Sequence, residues 1–286
     1  MASIAGPTQM VRRALVRQVR ATFNDRSKGQ RPIPRSIKAL FPQHSVIWRV
    51  HGDVTSMMTG GIAALLLQML HPKALGGVWD HSDVEADMLG RLRRTARFIA
   101  VTTYGDRDAA EATIAKVRQI HEQVSGTLPD GTAYCATDPR LLAWVHVAGA
   151  TMFLDGWRRY GEPAMSPADQ DAYFAEAAIV ARALGADPIP VTRSGAERLI
   201  DEFRKELRAD ARARAFRDLV IKSPAPTIRD VPVQKLLMGA AVDLLPDFAR
   251  RMHGLRLLPL SSPPIRAATS GLAKTLRWAF AHEAYR

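Results

Sequence analysis

The chain has 286 residues, of which 47% are hydrophobic and 24% are charged. A chain of this length and composition can bury a large core, so one large globular domain is expected and an intrinsically disordered protein is excluded. The single cysteine, Cys135, excludes an internal disulfide and a cysteine-based metal cluster, and it fits a reducing compartment.

The net charge of +12 is concentrated at the two ends of the chain. Residues 1–50 carry a net charge of +9, residues 51–192 carry −5 and residues 193–286 carry +8. Basic ends favour an anionic partner such as a lipid surface. Nucleic acid is disfavoured, because no groove-reading or base-stacking motif accompanies the charge.

Residues 1–45 are predicted to form a basic N-terminal arm or helix. Arg12, Arg13, Arg17 and Arg20 alternate there with less polar residues at helical spacing. The less polar residues are Met10, Val11, Ala14, Leu15, Gln18, Val19, Thr22 and Phe23. Two interpretations fit this pattern: a helix that packs on the body of the protein, and a peripheral contact with a membrane.

Residues 46–220 are predicted to form the helical core. The longest apolar run, Ile62–Leu70, is far shorter than the roughly 20 residues needed to cross a bilayer, and it is interpreted as a buried helix. The N-terminus lacks the apolar core and cleavage site of a secretory signal. The protein is therefore expected in the cytoplasm.

Helix-capping signals predict an all-α fold. Ser82–Glu85 has the capping-box pattern, and Asp138-Pro139, Ser166-Pro167 and Ser194–Glu197 are typical of further helix starts. The glycines expected to end helices are Gly105, Gly126, Gly161 and Gly185. Strand patterns are scarce, and the best of them, Ile189–Thr192, is interrupted by a proline.

Residues 221–286 are predicted to be a proline-punctuated helical segment that packs on the core. Its final helix is expected from about Ala268 to Ala284. That helix either packs back onto the body or serves as an interaction element.

One histidine lies on the apolar side of a helix predicted from about Asp108 to Val124. The apolar seam recurs at spacings of four, three, four and three residues, and it consists of Ala110, Ile114, Val117, His121 and Val124. A neutral imidazole in a dry cavity can offer a nitrogen lone pair to iron. The alternative for His121 is a core histidine whose ring is hydrogen-bonded to a backbone carbonyl.

The helix before it has a polar side. Arg91, Arg94, Thr95 and Phe98 share one face, at offsets of three, four and seven residues. Another side of the helix is apolar and consists of Met88, Leu92, Ala96 and Ile99. The polar face is either a solvent-exposed basic stripe or the lining of a polar site.

Two further histidines have apolar surroundings in the sequence. His146 falls on a predicted buried stripe, where it is a second metal ligand or, more simply, a structural or supporting residue. His71 directly precedes Pro72 and is expected to cap or to pack rather than to bind a metal.

Seven short motifs follow one another between Val46 and Phe153. They are Trp48-Arg49, His71-Pro72, Arg91-x-x-Arg94-Thr95, Arg118-x-x-His121, Tyr134, Asp138-Pro139 and Trp144-Val-His146. Their order and spacing resemble the family that groups bacterial latex-clearing rubber oxygenases with the fungal oxygenase of mycophenolic acid biosynthesis. Each motif alone is a weak signal, and the shared order carries the resemblance.

The resemblance implies an all-helical domain that encloses haem b, with His121 as the axial iron ligand. Arg91 or Arg94 is then expected near the haem propionates, and Thr95 near the open iron position. Arg94 and Thr95 are the expected catalytic residues, which set the polarity on that side. The residues expected to bind the cofactor are Arg91, Arg94, Thr95, Arg118, His121 and His146.

Two positions depart from the rubber-cleaving branch. Arg94 stands where that branch has a lysine, and a guanidinium stays protonated, so Arg94 cannot ligate iron but can hydrogen-bond dioxygen or a haem carboxylate. Ser125 stands where the rubber enzymes have another arginine, so one expected haem contact is missing. A different substrate is therefore expected.

The predicted function is a haem b-dependent oxygenase that activates dioxygen and oxidises an apolar small molecule, of isoprenoid or lipid-like character by resemblance. The alternative is a non-catalytic haem carrier or sensor with two axial ligands, His121 together with His146 or His71. A third interpretation is a helical interaction scaffold that has lost its haem.

Overall fold

A computed structural model describes residues 6–23, 29–256 and 261–281. Within these ranges the chain forms thirteen α-helices, one 3-10 helix and one two-stranded hairpin, which confirms the predicted all-α domain. The helices are α1 (Pro7–Phe23), α2 (Val46–His51), α3 (Val54–Gln68), α4 (Pro72–His81), α5 (Met88–Tyr104), α6 (Arg107–Glu122), α7 (Pro139–Tyr160), α8 (Pro167–Leu184), α9 (Arg193–Phe203), α10 (Ala211–Lys222), α11 (Val231–Leu244), α12 (Asp247–Met252) and α13 (Ser262–Phe280). The 3-10 helix is Ile228–Asp230, and the strands are β1 (Ser125–Thr127) and β2 (Ala133–Cys135).

Helices α3 and α7 touch backbone to backbone at the centre of the fold. A Cβ atom added at Gly60 of α3 would lie 2.7 Å from the carbonyl oxygen of Met152 on α7. A Cβ atom at Gly156 of α7 would lie 2.7 Å from the carbonyl oxygen of Ser56 on α3. Glycine is therefore required at both positions for this approach.

The other helices surround this central pair. Helices α11 and α13 pack against α3, and α8 and α9 pack against α7. Helix α1 lies against α5 and α13, and α6 lies against α5 and α8. The largest buried side chains are aromatic, and they join into one core cluster that includes Trp144, Tyr173, Phe174, Phe203 and Phe216.

A buried carboxylate connects the C-terminal helices to α7. Asp243 of α11 is 4% exposed and pairs with Arg159 of α7 at 2.9 Å and with Arg266 of α13 at 2.7 Å. Burial raises the pKa of Asp243, but the two guanidinium groups outweigh it and hold that pKa below its usual value. Of the two interpretations of the final helix, the structure shows the packed one, from Ser262 to Phe280.

Helix α1 divides the less polar residues of the N-terminal segment between two faces. Val16 is buried and Leu15 and Val19 are half-buried, whereas Met10 and Val11 are 62% and 53% exposed. The face of α1 that packs inward is therefore shifted from the apolar face predicted from the sequence, which included Met10 and Val11. The side chains of Thr22 and Phe23 lie outside the described residues.

Several predicted helix ends are confirmed. Asp138 accepts hydrogen bonds from the first turn of α7, and Ser166 does so at the start of α8. Gly105 and Gly161 cap the ends of α5 and α7, and Gly185 ends α8 with a φ of 94°, a left-handed conformation that favours glycine.

Two predicted helix starts are wrong. The residue that caps α5 is Asp87, which accepts from the Gly90 N–H at 2.8 Å, while the Ser82 hydroxyl donates back to the Val78 carbonyl and ends α4. At α9 the cap is Thr192, whose hydroxyl accepts from the Gly195 N–H at 3.1 Å, so Ser194 lies inside the first turn. In both places the chain offers several capping side chains, and the tertiary position of the helix selects one.

The prediction that Gly126 ends a helix is also wrong. Helix α6 ends at Glu122, and Gly126 lies in β1, opposite Tyr134 of β2. A Cβ atom at Gly126 would lie 2.6 Å from the Tyr134 hydroxyl, which donates to Asp80 at 2.7 Å. The glycine is therefore needed for ring packing in the hairpin rather than for helix termination.

Among the described residues, no single helix has both the length and the apolar character needed to span a membrane. In the same ranges, the pair α3 and α4 is long and apolar enough when taken together, but these helices are bent by 104° at their junction.

The close contact of α3 and α7 predicts that one methyl group added at Gly60 lowers the stability of the protein. We expect Gly60→Ala to lower the free energy of unfolding by about 1–3 kcal/mol, because the new Cβ forces the two backbones apart. Gly61→Ala is the matched control, since its Cβ would make an ordinary 3.5 Å contact with the Phe153 ring. Urea denaturation of both variants measures the difference, and equal stability of the two would contradict this account of the crossing.

Candidate functional site

The predicted seam of α6 faces the protein, and His121 lies at its C-terminal end. Ala110 and Ile114 are buried, and Val117 and His121 are half-buried. The Nδ1 atom of His121 is buried and has no hydrogen-bond partner. Burial lowers the pKa of His121, so the ring is neutral near pH 7 and one of its nitrogens keeps a free lone pair.

Arg91 is a half-buried cation on α5, the helix that packs against α6. Its Nη1 atom donates to the Ser82 hydroxyl at a long 3.4 Å, and the described residues provide no carboxylate that pairs with it. Burial, and then the charge of Arg94, lower the pKa of Arg91. Both effects make the charged form of Arg91 less stable, and an anionic group bound beside it would offset them.

Arg94 and Thr95 lie on the exposed side of the same helix. The Arg94 side chain is 59% exposed and its Nη1 atom lies 3.0 Å from Asp87, the cap of α5. Thr95 is exposed. Both residues are open to solvent, so the described part of the chain does not enclose them in a cavity.

His146 on α7 is a second imidazole with an unsatisfied atom. Its Nε2 atom is buried without a hydrogen-bond partner. Burial, assisted by the charge of Arg182, lowers the pKa of His146 to about 4, so this ring is also neutral. Arg118, three residues before His121, is exposed on α6.

His71 occupies a different environment. It directly precedes α4, is 4% exposed, and lies beside the rings of Trp144 and Phe203. Its Nε2 atom is 3.4 Å from Glu206, which also pairs with Arg140 at 2.7 Å. These contacts support the predicted packing role.

The structure reveals a fourth histidine, His51, that the sequence motifs do not single out. His51, at the end of α2, has Nδ1 2.9 Å from the Thr103 hydroxyl and Nε2 3.1 Å from the Tyr173 hydroxyl. Burial lowers the pKa of His51 to about 3. The histidine itself lies on α2 and its two partners lie on α5 and α8, so no local pattern could have shown the cluster. Its closeness to Trp48-Arg49 is the only signal in the sequence.

These groups fit a haem better than a metal ion held by protein atoms alone. In the part of the chain that the structure describes, no three His, Cys, Asp or Glu side chains are grouped as such an ion requires. A porphyrin brings four ring nitrogens, so one neutral imidazole suffices as the protein ligand. His121 meets that need, and Arg91 provides a cation without a carboxylate partner.

A family model described as "ER-bound oxygenase mpaB/B'/Rubber oxygenase, catalytic domain" matches residues 48–278. The chain belongs to this family. Comparison with curated proteins and with solved structures finds no match.

The family assignment confirms the resemblance and extends it. The sequence motifs end near Phe153, whereas the match reaches residue 278, within α13. Helices α8 to α13 therefore belong to the same oxygenase catalytic domain as the histidines on α6 and α7.

The His51 cluster predicts a pH dependence of stability. The unfolded chain binds a proton on this histidine near pH 6.5, whereas the folded ring does so only at about pH 3, where its pKa lies. The free energy of unfolding is therefore expected to fall as the pH decreases from 6.5 toward 3. His51 alone is expected to account for a loss of about 2 kcal/mol at pH 5.

Urea denaturation between pH 7 and pH 4 measures this effect. His51→Gln should flatten the pH profile, while the exposed His44→Gln should leave its slope unchanged. A profile of His51→Gln as steep as that of the wild type would show that His51 does not cause the dependence.

Proposed function

We propose that the protein is a haem b-dependent oxygenase that activates dioxygen to oxidise an apolar small molecule. One observation carries the proposal: within a domain of an oxygenase family, His121 is neutral and has a buried nitrogen without a partner. When bound, haem b would supply the redox-active iron that the chain's own side chains cannot provide.

His121 is proposed as the axial iron ligand. Its lowered pKa keeps it unprotonated near neutral pH, so no proton has to leave before the nitrogen binds iron. Its place on the inward seam of α6 fixes the ring between this helix and the body of the protein.

Arg91, Arg94 and Arg118 are proposed to bind the haem carboxylates. Arg91 has the strongest support, because it is half-buried, close enough to Arg94 for repulsion, and without a carboxylate partner among the described residues. Arg118 is exposed on the helix of His121, one turn before it, and forms no ion pair with the described residues.

Arg94 and Thr95 are proposed to set the polarity on the side of the haem where dioxygen reacts. They share the face of α5 on which Arg91 lies, and their donors are accessible. Arg94 already pairs with Asp87, so it would have to exchange or share that partner. His146 is proposed as a supporting residue of the haem site.

The proposed substrate is an apolar molecule of isoprenoid or lipid-like character. The family description names a rubber oxygenase, and the apolar side chains of α5 are only partly covered. Phe98 and Ile99 are both half-buried, so they leave apolar surface next to the proposed site.

A second candidate function is a haem carrier or sensor without catalysis. It is favoured by the buried, unpartnered Nε2 atom of His146, which could provide a second axial ligand. His71 also has a buried, unpartnered nitrogen, Nδ1, but it is the weaker second ligand because Glu206 already engages its Nε2 atom.

We further propose that the protein is cytoplasmic and attaches peripherally to an anionic membrane through α1. The exposed side of this helix combines Met10 and Val11 with Arg13, Arg17 and Arg20. The family description includes ER-bound members, and the free, exposed Cys135 fits a reducing compartment.

Absorption spectra of the purified protein test the role of His121. We expect the wild type to carry haem and its ferrous form to bind carbon monoxide. The haem content of His121→Ala is expected to be lower by a factor of about ten or more. The exposed His44→Ala should keep the haem content of the wild type.

The other outcomes separate the candidates. A low-spin spectrum that resists carbon monoxide and changes in His146→Ala supports the carrier or sensor. Wild-type protein without haem, although expressed with sufficient iron, supports a haem-free scaffold. Unchanged haem content and ligation in His121→Ala would refute the proposed ligand.

Co-sedimentation with vesicles tests the membrane contact. Arg13→Glu/Arg17→Glu is expected to lower partitioning onto phosphatidylserine-containing vesicles by about 20-fold or more, because each basic residue near such a surface contributes about 1 kcal/mol. Arg198→Glu/Arg251→Glu changes the net charge equally at exposed positions of α9 and α12. Equal loss of binding in both double variants would show that α1 is not the contact.

A further inference from the structure

An apolar cavity of about 230 Å³ lies between α1, α3, α5, α10, α11 and α13. Its walls are formed mainly by leucine, methionine and valine side chains, among them Leu15 of α1, Leu92 of α5 and Leu237 of α11. This volume exceeds the roughly 150 Å³ of an apolar protein cavity that accepts benzene. The cavity can therefore take a medium-length alkyl or prenyl chain.

The charges around the cavity argue against an anionic ligand. No Lys or Arg among the described residues lines it, and its one charged lining residue is Asp230. This carboxylate already accepts from Gln18 at 2.6 Å and from the Thr227 hydroxyl at 2.7 Å. An anion in the cavity would be desolvated without a counter-charge.

Thr55 places an unsatisfied hydroxyl in the cavity wall. It is 1% exposed, and its Oγ1 atom is buried without a hydrogen-bond partner. Thr55 lies in the first turn of α3, where the helix offers no preceding carbonyl for the hydroxyl to bond.

Gln234 contributes a second unsatisfied atom, and its hydrogen bonding identifies that atom as the amide oxygen. The Gln234 Nε2 atom donates to the Ser223 carbonyl at 2.6 Å, which only the NH₂ end of the amide can do. The Oε1 atom is therefore the acceptor, and it is buried without a partner. A group that satisfies it has to donate a hydrogen bond.

We propose that this cavity binds a neutral lipid alcohol, with the chain among the leucines and methionines and the hydroxyl at Gln234 and Thr55. A hydroxyl can donate to the Gln234 Oε1 atom or exchange a hydrogen bond with the Thr55 hydroxyl, whereas an ester or a carboxylate cannot donate. The cavity walls include none of the residues proposed to bind haem, so this site is independent of the His121 proposal.

Isothermal titration of the full-length protein with three eight-carbon probes tests the proposal. 1-Octanol is expected to bind saturably at one site, and octanoate at pH 8 and methyl octanoate to bind at least about five-fold more weakly, because each lacks the donor. The same titration with His121→Ala should give the same octanol affinity, so that the site is tested apart from the haem.

Two variants locate the site. Gln234→Leu should weaken octanol about five-fold and leave methyl octanoate unchanged, while the exposed Gln119→Leu should alter neither. Met238→Trp should fill the cavity and abolish octanol binding. Thermal unfolding of each variant checks its fold, and Gln234→Leu decides the matter if Met238→Trp does not fold.

Three results would overturn the proposal. They are the absence of saturable octanol binding, octanoate or methyl octanoate binding as tightly as octanol, and unchanged octanol affinity in folded Gln234→Leu or Met238→Trp protein.

Discussion

The backbone contact between α3 and α7 constrains the position of most functional groups in this protein. Because Gly60 and Gly156 carry no side chain, the two helices meet closely and the remaining helices have to pack around them. Helix α7 brings His146 to one side of this pair, and α3 brings Thr55 to the wall of the apolar cavity. The site histidines and the cavity are thus parts of a single packed body rather than of separate modules.

Hydrogen-bond satisfaction distinguishes the buried histidines from one another. Both ring nitrogens of His51 have hydroxyl partners, and His71 has one carboxylate partner. A buried nitrogen without a partner occurs in His71, His121, His146 and His253, but in His71 and His253 the other ring nitrogen is engaged, by Glu206 and by the Leu66 carbonyl. No described residue hydrogen-bonds to either ring nitrogen of His121 or His146, and since an unsatisfied buried nitrogen costs free energy, a ligand at these two rings would be stabilising. This difference supports a haem site at α6 and α7 rather than at α2.

Helix α1 has two functions in the proposed picture, one on each face. Leu15 and Val19 close one wall of the apolar cavity, and the Arg12 guanidinium stacks on Trp278 at 4.3 Å, which holds the helix against α13. The opposite face exposes methionine and valine among arginines. A lipid ligand leaving an anionic membrane would meet this helix first, so the basic end of the chain and the apolar cavity become parts of one arrangement.

The sequence by itself determined the helical class, the family, the inward face of α6 and the helix caps at Asp138 and Ser166. These depend on local periodicity and capping, which are readable along the chain. Sequence reasoning failed at Ser82, Ser194 and Gly126, where neighbouring polar residues compete for a cap or a distant ring demands a glycine. Only the tertiary structure decided that Arg94 and Thr95 are exposed, that His51 meets Tyr173 across 122 positions, and that six helices leave an apolar cavity. Such features depend on which side chains meet between distant segments, and one-dimensional spacing does not contain that information.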